Sequence, residues 1–156
     1  MKKFSILNSQ FSISKGFTLI ELLIVIIIIG ILSALIFANF GDIRKKSRDS
    51  QRKSDLKQIQ TALELYRADN KIYPLTAAFP ACGSALTLGG STYMAKVPCD
   101  PTNTGQYVYR YTGASGTTYT LTACLENTND SQKDITNNAS ICTGGTTNWS
   151  YTTQNP

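Results

Sequence analysis

One uninterrupted apolar run, residues 17–40, constrains what this chain can fold into more than any other feature. The run (FTLIELLIVIIIIGILSALIFANF) has no proline and one ionisable residue, Glu21. A helix needs about 20 apolar residues to cross about 30 Å of hydrocarbon. We therefore expect residues 17–40 to form a transmembrane helix, as the membrane half of a longer element.

A short basic segment, residues 1–16 (MKKFSILNSQFSISKG), precedes the run and contains no acidic residue. An ordinary signal peptide has its cleavage site after the apolar region, at small residues. No such site follows this run, and the only cleavage signal lies before it, between Gly16 and Phe17. Residues 1–16 are therefore interpreted as a leader that is removed.

The helix is expected to continue beyond the apolar run. Residues 41–70 lack proline and consist mainly of good helix formers. The later apolar side chains recur at the spacing of one helix face: Leu56, Ile59, Leu63 and Tyr66. This pattern predicts one helix from about Phe17 to Asp69, whose extramembrane half, residues 41–70, buries one face in a domain.

Residues 71–156 are expected to form a small globular domain rich in β-structure. Glycines predict a loop over residues 75–97, and alternating β-branched and aromatic residues predict strands over 106–111 and 117–125. Residues 126–156 are rich in Asn, Thr and Ser, which predicts an irregular tail. The expected fold class is α+β, with a long N-terminal helix packed on a small antiparallel β-sheet.

All four cysteines lie behind the apolar run: Cys82, Cys99, Cys124 and Cys142. None belongs to a CxxC pair, so the pattern indicates neither a zinc site nor a thioredoxin-like centre. Two disulfides in an oxidising compartment are expected, and free buried thiols are the alternative. Of the three pairings that four cysteines allow, the sequential one is favoured, because each of its loops is short.

Composition argues against two functional classes. The chain has no histidine, and no metal motif or nucleophile–base pair stands out, so an enzyme is not expected. The net charge is +5, but three of those charges are leader lysines, which leaves +2 after cleavage. Nucleic-acid binding is therefore not expected either.

Residues 15–21 (KGFTLIE), followed directly by the apolar run, resemble the processing and methylation signature of type IV pilins and type II secretion pseudopilins. The resemblance includes the basic residue, the glycine before the cut, the phenylalanine after it and the glutamate at the fifth mature position. It implies cleavage between Gly16 and Phe17 by a prepilin peptidase, which also methylates the new N-terminus at Phe17.

Glu21 requires a compensating charge, because a carboxylate in hydrocarbon costs about 2.5–3.5 kcal/mol. The resemblance implies that it meets the positive N-terminus of an adjacent subunit after cleavage. Such pairing would set the axial register of a polymer, since an unmatched subunit leaves an uncompensated charge. The alternative is a protonated glutamate that has no role.

The charges around the run conflict with the cleavage motif. The basic stretch over residues 44–57 would place the C-terminal domain in the cytoplasm by the positive-inside rule. The cleavage motif and the cysteines both require this domain outside, and we follow them. The expected location is the inner membrane with the C-terminal domain outside, followed by an extracellular or periplasmic filament. The basic stretch is expected to contact anionic lipid headgroups.

The resemblance also introduces calcium as a candidate ligand, since similar pseudopilins can hold this ion in a loop of the C-terminal part. An oxygen-rich loop here offers four side chains for it: Glu126, Asn129, Asp130 and Asp134. Calcium takes six to eight oxygen ligands. The alternative is an ordinary polar loop, and no cofactor is required for the expected role.

Two functions fit these features. The first is a structural subunit of an extracytoplasmic helical filament, either a type IV pilus or a type II secretion pseudopilus. Its implied partners are copies of itself or related subunits, the prepilin peptidase, an assembly platform and membrane lipid. The alternative is a minor pilin that acts as a tip adhesin or DNA-uptake binder. Its candidate binding residues are Trp149, Tyr151 and the hairpin tyrosines, which are Tyr107, Tyr109 and Tyr111 on one face of a hairpin predicted from the strands over 106–111 and 117–125.

Overall fold

The computed structural model describes residues 16–144 and 147–155. The chain divides into two compact units, residues 1–39 and residues 40–156. Within the described residues, the elements are a long helix α1, a short 3-10 helix and five strands, β1 to β5, in two antiparallel sheets. The predicted α+β class is therefore confirmed. The predicted leader, apart from its last residue, lies outside the described residues.

Helix α1 extends over Leu19–Asn70, 52 residues, close to the predicted 17–69. It ends in a left-handed turn, because Lys71 has φ 66° and its N–H donates a hydrogen bond to the Arg67 carbonyl oxygen at 2.8 Å. That bond satisfies a carbonyl that the last helical turn would otherwise leave without a donor. The 3-10 helix, Thr76–Ala78, follows.

The first unit exposes an unusual amount of apolar surface. The large apolar side chains described between Leu19 and Phe37 are exposed over 45% to 82% of their surface. Soluble monomers rarely expose a continuous apolar surface of this kind, so it requires a cover in its native setting. Among the described residues, no helix was found with the length and apolar character needed to cross a membrane.

The first sheet lies within residues 75–97, which were wrongly predicted to be loop. Strand β1, Leu86–Leu88, pairs with β2, Ser91–Met94. Between them, Gly89 and Gly90 have φ of 58° and 86°. Positive φ at both central residues defines the hairpin turn that glycine pairs favour. The Gly-Gly pair was the available signal for a hairpin. Strands this short show too little alternation of apolar and polar residues to be recognised.

The second sheet has three antiparallel strands in the order β3–β4–β5, which are Arg110–Thr112, Thr120–Leu125 and Trp149–Gln154. Tyr111 of β3 lies opposite Leu121 of β4. Strand β4 is central, and five of its six residues are buried. Such a strand needs cover on both faces.

Two predictions for this region were wrong. The strand predicted over 106–111 is mostly turn, because the Tyr107 N–H donates to the Thr104 carbonyl oxygen at 3.0 Å and Gly105 has φ 59°. The tail predicted to be irregular contains β5, which pairs with all of β4. The aromatic and β-branched residues of WSYTTQ were the available signal.

The core of the second unit forms between one face of α1 and one face of β4. The helix contributes Leu56, Ile59 and Leu63, and the strand contributes Leu121 and Ala123, all at most 1% exposed. The predicted apolar stripe of the helix is therefore buried. Burying one such side chain stabilises a fold by about 1.5–3 kcal/mol.

Both cysteine pairs form disulfides, Cys82–Cys99 and Cys124–Cys142, which is the sequential pairing. Cys124 and Cys142 are fully buried, and their bond ties the segment before β5 to the central strand. Cys82 is exposed and Cys99 is half-buried. Their bond closes the loop that contains the β1–β2 hairpin.

Partial reduction of the folded chain is expected to open Cys82–Cys99 first, because thiol–disulfide exchange requires access to a sulfur atom. Brief treatment with a mild dithiol, followed by alkylation and mass spectrometry, should label Cys82 and Cys99 well before Cys124 and Cys142. Equal labelling of all four cysteines at the earliest times would contradict this order.

Candidate functional site

The candidate processing site lies just ahead of α1. Gly16 and Phe17 are both outside the helix and exposed, Phe17 over 90% of its surface. Beyond its chain neighbours, a side chain placed at Gly16 would meet no described atom within 4 Å. The peptide bond between the two residues is therefore accessible on the isolated chain.

Thr18 and Glu21 form a capping box at the start of α1. The Glu21 carboxylate oxygen Oε2 accepts hydrogen bonds from the Thr18 backbone N–H at 2.8 Å and from the Thr18 hydroxyl at 2.7 Å. In return, the Glu21 N–H donates to Thr18 Oγ1 at 3.3 Å. Two backbone donors at the helix start are satisfied in this way.

The sequence analysis missed this capping box, although the T-x-x-E spacing of residues 18–21 was its signal. The box gives Glu21 a role within its own chain, in addition to the pairing expected with a neighbouring subunit. Both carboxylate bonds use Oε2, which leaves Oε1 without a donor among the residues that the structure describes. One carboxylate oxygen can therefore still accept a hydrogen bond from elsewhere.

A second site is buried where α1 meets the loops beside β4. Arg52 is fully buried and donates to the carboxylates of Asp49, Asp100 and Glu126 at distances of 2.7 to 3.0 Å. A further N–H donates to Thr102 Oγ1 at 3.1 Å. Each of the five guanidinium N–H groups thus has an acceptor. The guanidinium holds these segments together and has no donor left for a ligand.

Asp49 extends this network to the backbone that follows β4. Its Oδ1 accepts the Glu126 N–H at 2.9 Å and its Oδ2 accepts the Asn127 N–H at 2.7 Å. The sequence analysis treated residues 44–57 as a basic stretch and missed the network. The acidic partners of Arg52 include residues 48 and 74 positions away, so no local pattern reveals them.

Asp55 is a further buried carboxyl on the same helix, and it accepts a hydrogen bond from the Tyr109 hydroxyl at 2.7 Å. Burial raises the pKa of Asp55 above its ordinary value, although the Tyr109 bond opposes that shift. The hydroxyl therefore binds the helix to the segment before β3 and fixes one of the hairpin tyrosines in place.

The structure does not bring the four residues predicted to bind calcium together as a cation site. Glu126 faces Arg48 and Arg52 on the helix, Asp130 faces Lys53, Asp134 accepts from Thr152 of β5, and Asn129 is exposed. Over residues 16–144 and 147–155, no group of three acidic, cysteine or histidine side chains is arranged to hold a metal ion. The residues as placed do not fit calcium.

The residues suggested for a tip-binding surface have internal partners. The Tyr111 hydroxyl donates to the Pro74 carbonyl oxygen, and its ring stacks on Phe79 at 4.3 Å between centroids. The Trp149 Nε1–H donates to the Asp134 carbonyl oxygen at 2.6 Å. Tyr151 is half-buried against the core. These three aromatic side chains therefore contribute to the fold through contacts within the described chain.

Two family models match this chain and together cover most of it. The model described as prokaryotic N-terminal methylation motif matches residues 12–37. The model described as type II secretion system (T2SS), protein G, matches residues 39–142. The first contains the processing site, and the second contains the Arg52 network and most of the second unit. No solved structure matches the chain.

Similar proteins include the type II secretion system core protein G of Escherichia coli (strain K12), which is 31% identical over 131 residues, 79% of this chain and 90% of that protein. The protein of the same name from Vibrio cholerae is 28% identical over 109 residues, 65% of this chain and 74% of that protein. The match to the one from Pseudomonas aeruginosa is 40% identical over 62 residues, 40% of this chain and 44% of that protein.

The substitution Arg52→Met is expected to destabilise the second unit by about 3–5 kcal/mol, because the buried carboxylates around it lose their cation. Lys57→Met is the matched control, since it removes an exposed charge from the same helix and should cost less than about 0.5 kcal/mol. Urea unfolding followed by circular dichroism measures both. Similar unfolding midpoints for the two variants would show that the carboxylates do not depend on Arg52.

Acid is expected to weaken the fold through Glu126. Hydrogen bonds from Arg48 hold the pKa of Glu126 below its ordinary value, and burial only partly opposes them. A lowered folded-state pKa contributes stability above the unfolded value of about 4.3, and this is lost as the pH falls through the folded pKa. The urea midpoint should therefore fall less between pH 6 and pH 3 in Glu126→Gln than in the wild type. Asp42→Asn, at an exposed carboxyl, should leave the wild-type slope unchanged.

Proposed function

The chain belongs to the family of type II secretion system protein G, and from this premise we propose that it is a structural subunit of a secretion pseudopilus. The observation that carries the proposal is the order of the two matched regions, with the methylation motif directly before the protein G region. The family is one of structural pseudopilins and not of enzymes. The proposed subunit polymerises with copies of itself or related subunits into a helical filament.

Processing would begin at the bond between Gly16 and Phe17. The proposed enzyme is a prepilin peptidase that cuts this bond and methylates the new amino group of Phe17. The exposed, non-helical position of both residues supports this step, because a peptidase must reach the backbone in an extended form. The absence of a side chain at Gly16 leaves room for that approach.

Glu21 is proposed to set the register of the filament. After cleavage, the new amino group of one subunit would pair with the Glu21 carboxylate of the next. Oε1, which has no donor among the described residues, supports this role, since it can accept the amine while Oε2 keeps the capping box. A subunit out of register would leave a carboxylate without a cation, which is costly in hydrocarbon.

Residues 17–40 are proposed to anchor the precursor in the inner membrane, with the second unit outside. This proposal rests on the apolar sequence and on the methylation motif, whereas none of the described helices has the length and apolar character of a membrane span. The two disulfides support an oxidising compartment for the second unit. Membrane lipid and an assembly platform at the membrane are the remaining proposed partners.

The role of a filament subunit is favoured over that of a tip adhesin. The similar proteins carry the name of a secretion core component. The aromatic side chains that an adhesin could have used are already occupied by contacts within the chain. Counting this chain against other subunits in sheared filaments distinguishes the two roles, since a tip protein is present in few copies.

Glu21→Gln tests charge pairing apart from helix capping. Glutamine preserves the capping box but carries no charge, so we expect normal cleavage and methylation at Phe17 with few or no filaments. Thr18→Val removes the capping hydroxyl and retains the carboxylate, and it should retain most of the filament. Sheared fractions give the filament amount, and the intact mass gives the processing state.

Wild-type amounts of filament from Glu21→Gln would reject the charge role of Glu21 while leaving the family assignment intact. A purified envelope protein that still begins at Met1, in cells that nonetheless make filaments, would reject the processing step. The two outcomes are read by different measurements on the same preparation.

A further inference from the structure

The loop that follows β4 is held by cationic side chains of the same chain. We call residues 126–134 the acidic loop. It contains three carboxylates, Glu126, Asp130 and Asp134, and these are the charged groups expected to attract calcium. Each of their six carboxylate oxygens accepts a hydrogen bond from the same chain, five of them from α1 or β5 and one from the Gln132 N–H within the loop.

Glu126 anchors the beginning of the acidic loop to α1. Its Oε1 accepts from Arg48 Nε at 2.7 Å and from Arg52 Nη1 at 2.8 Å, and its Oε2 accepts from Arg48 Nη2. The side chain of Glu126 is only 13% exposed. A carboxylate that accepts hydrogen bonds from two guanidinium groups is already neutralised.

Asp130 anchors the middle of the acidic loop to the next turn of the same helix. Its Oδ2 accepts from Lys53 Nζ at 2.8 Å, and its Oδ1 accepts from the Gln132 N–H at 2.8 Å. The side chains of Lys53 and Asp130 are 22% and 13% exposed. Partial burial makes this pair worth more than an exposed surface ion pair.

The end of the acidic loop is joined to β5. Asp134 accepts from the Thr152 N–H at 2.9 Å and from its hydroxyl at 2.8 Å. Lys133 reaches back across the loop, where its Nζ donates to the Thr128 carbonyl oxygen at 2.6 Å and lies 4.1 Å from the centre of the Trp149 ring. A cation therefore occupies the inside of the loop, on a carbonyl oxygen and an aromatic face.

Calcium binding would require a different arrangement of the same oxygens. The ion needs six to eight oxygen ligands about 2.3–2.6 Å away. Here the carboxylates of Glu126 and Asp130 are bonded to α1, that of Asp134 is bonded to β5, and the Thr128 carbonyl oxygen accepts from Lys133. A calcium ion that took Glu126, Asp130 and the Thr128 carbonyl oxygen as ligands would compete with the bonds that they make to Arg48, Lys53 and Lys133.

We propose that Arg48, Lys53 and Lys133 supply from within the chain the positive charge that a calcium ion would otherwise bring to the acidic loop. The folded second unit then needs no calcium, and its loop is stabilised by cations that cannot dissociate. This inference concerns the folded domain and does not depend on the proposed secretion role.

Thermal unfolding of the full-length chain in detergent, with calcium alone as the probe, tests this directly. We expect the midpoint in 5 mM calcium chloride to lie within about 1 °C of the midpoint in 1 mM EGTA, because a ligand raises the midpoint only by binding the folded state. Magnesium chloride at 5 mM is the control for ionic strength. A rise of several degrees with calcium but not with magnesium would overturn the proposal.

Variants of the cations give an independent readout. Lys53→Met and Lys133→Met should each lower the unfolding midpoint by several degrees. Lys57→Met on the same helix should not, since Lys57 is exposed and its Nζ donates only to Gln60 Oε1 in the described structure. If both loop variants have the same unfolding midpoint as Lys57→Met, the cations do not hold the loop and the proposal fails. If either variant does not fold, the calcium comparison on the wild-type chain still decides the question.

Discussion

The fully buried guanidinium group of Arg52 organises the folded domain. Arg52 lies on α1, and its carboxylate partners come from the helix itself, from Asp100 and from Glu126. Asp100 directly follows Cys99, and Glu126 comes two positions after Cys124. The disulfides and the ion network therefore restrain the same two places in the chain. Because a buried charge that loses its partners is strongly destabilising, helix, loops and sheet must form together.

The parts of the fold that rest on local periodicity could be predicted, and those that rest on distant partners could not. The stripe that includes Leu56 and Leu63 predicts a buried helix face, and the structure buries it. Strand β5 was not predicted, because it is stabilised by pairing with β4, a partner that its own sequence does not reveal. The strand expected over 106–111 failed for the opposite reason, since its β propensity is overruled by the turn at Gly105.

The candidate site shows the same division. A contiguous motif predicts Gly16, Phe17 and Glu21 as the processing and assembly residues from their order alone, and the methylation-motif model matches the segment that contains them. The carboxylates at Glu126 and Asp130 were interpreted as ligands because their segment is rich in oxygen-bearing side chains and because similar pseudopilins can hold calcium in such a loop. Their partners lie on α1, 77 and 78 positions earlier in the chain. A short stretch of sequence cannot show a carboxylate together with a partner so far away. The carboxylate is therefore read as a calcium ligand, although its counter-ion is an Arg or Lys side chain of the same chain.

The capping box changes how the energetics of assembly are understood. An unpaired carboxylate in hydrocarbon costs about 2.5–3.5 kcal/mol, but in the single chain Glu21 already receives two hydrogen bonds from Thr18. Part of that cost is thus offset before any neighbour arrives, and pairing with an amine can supply only the remainder. In the filament proposed above, the exposed apolar side chains between Leu19 and Phe37 would provide the larger surface for association. Packing would then give the filament its strength, and the charge at Glu21 would select one register among many of similar packing.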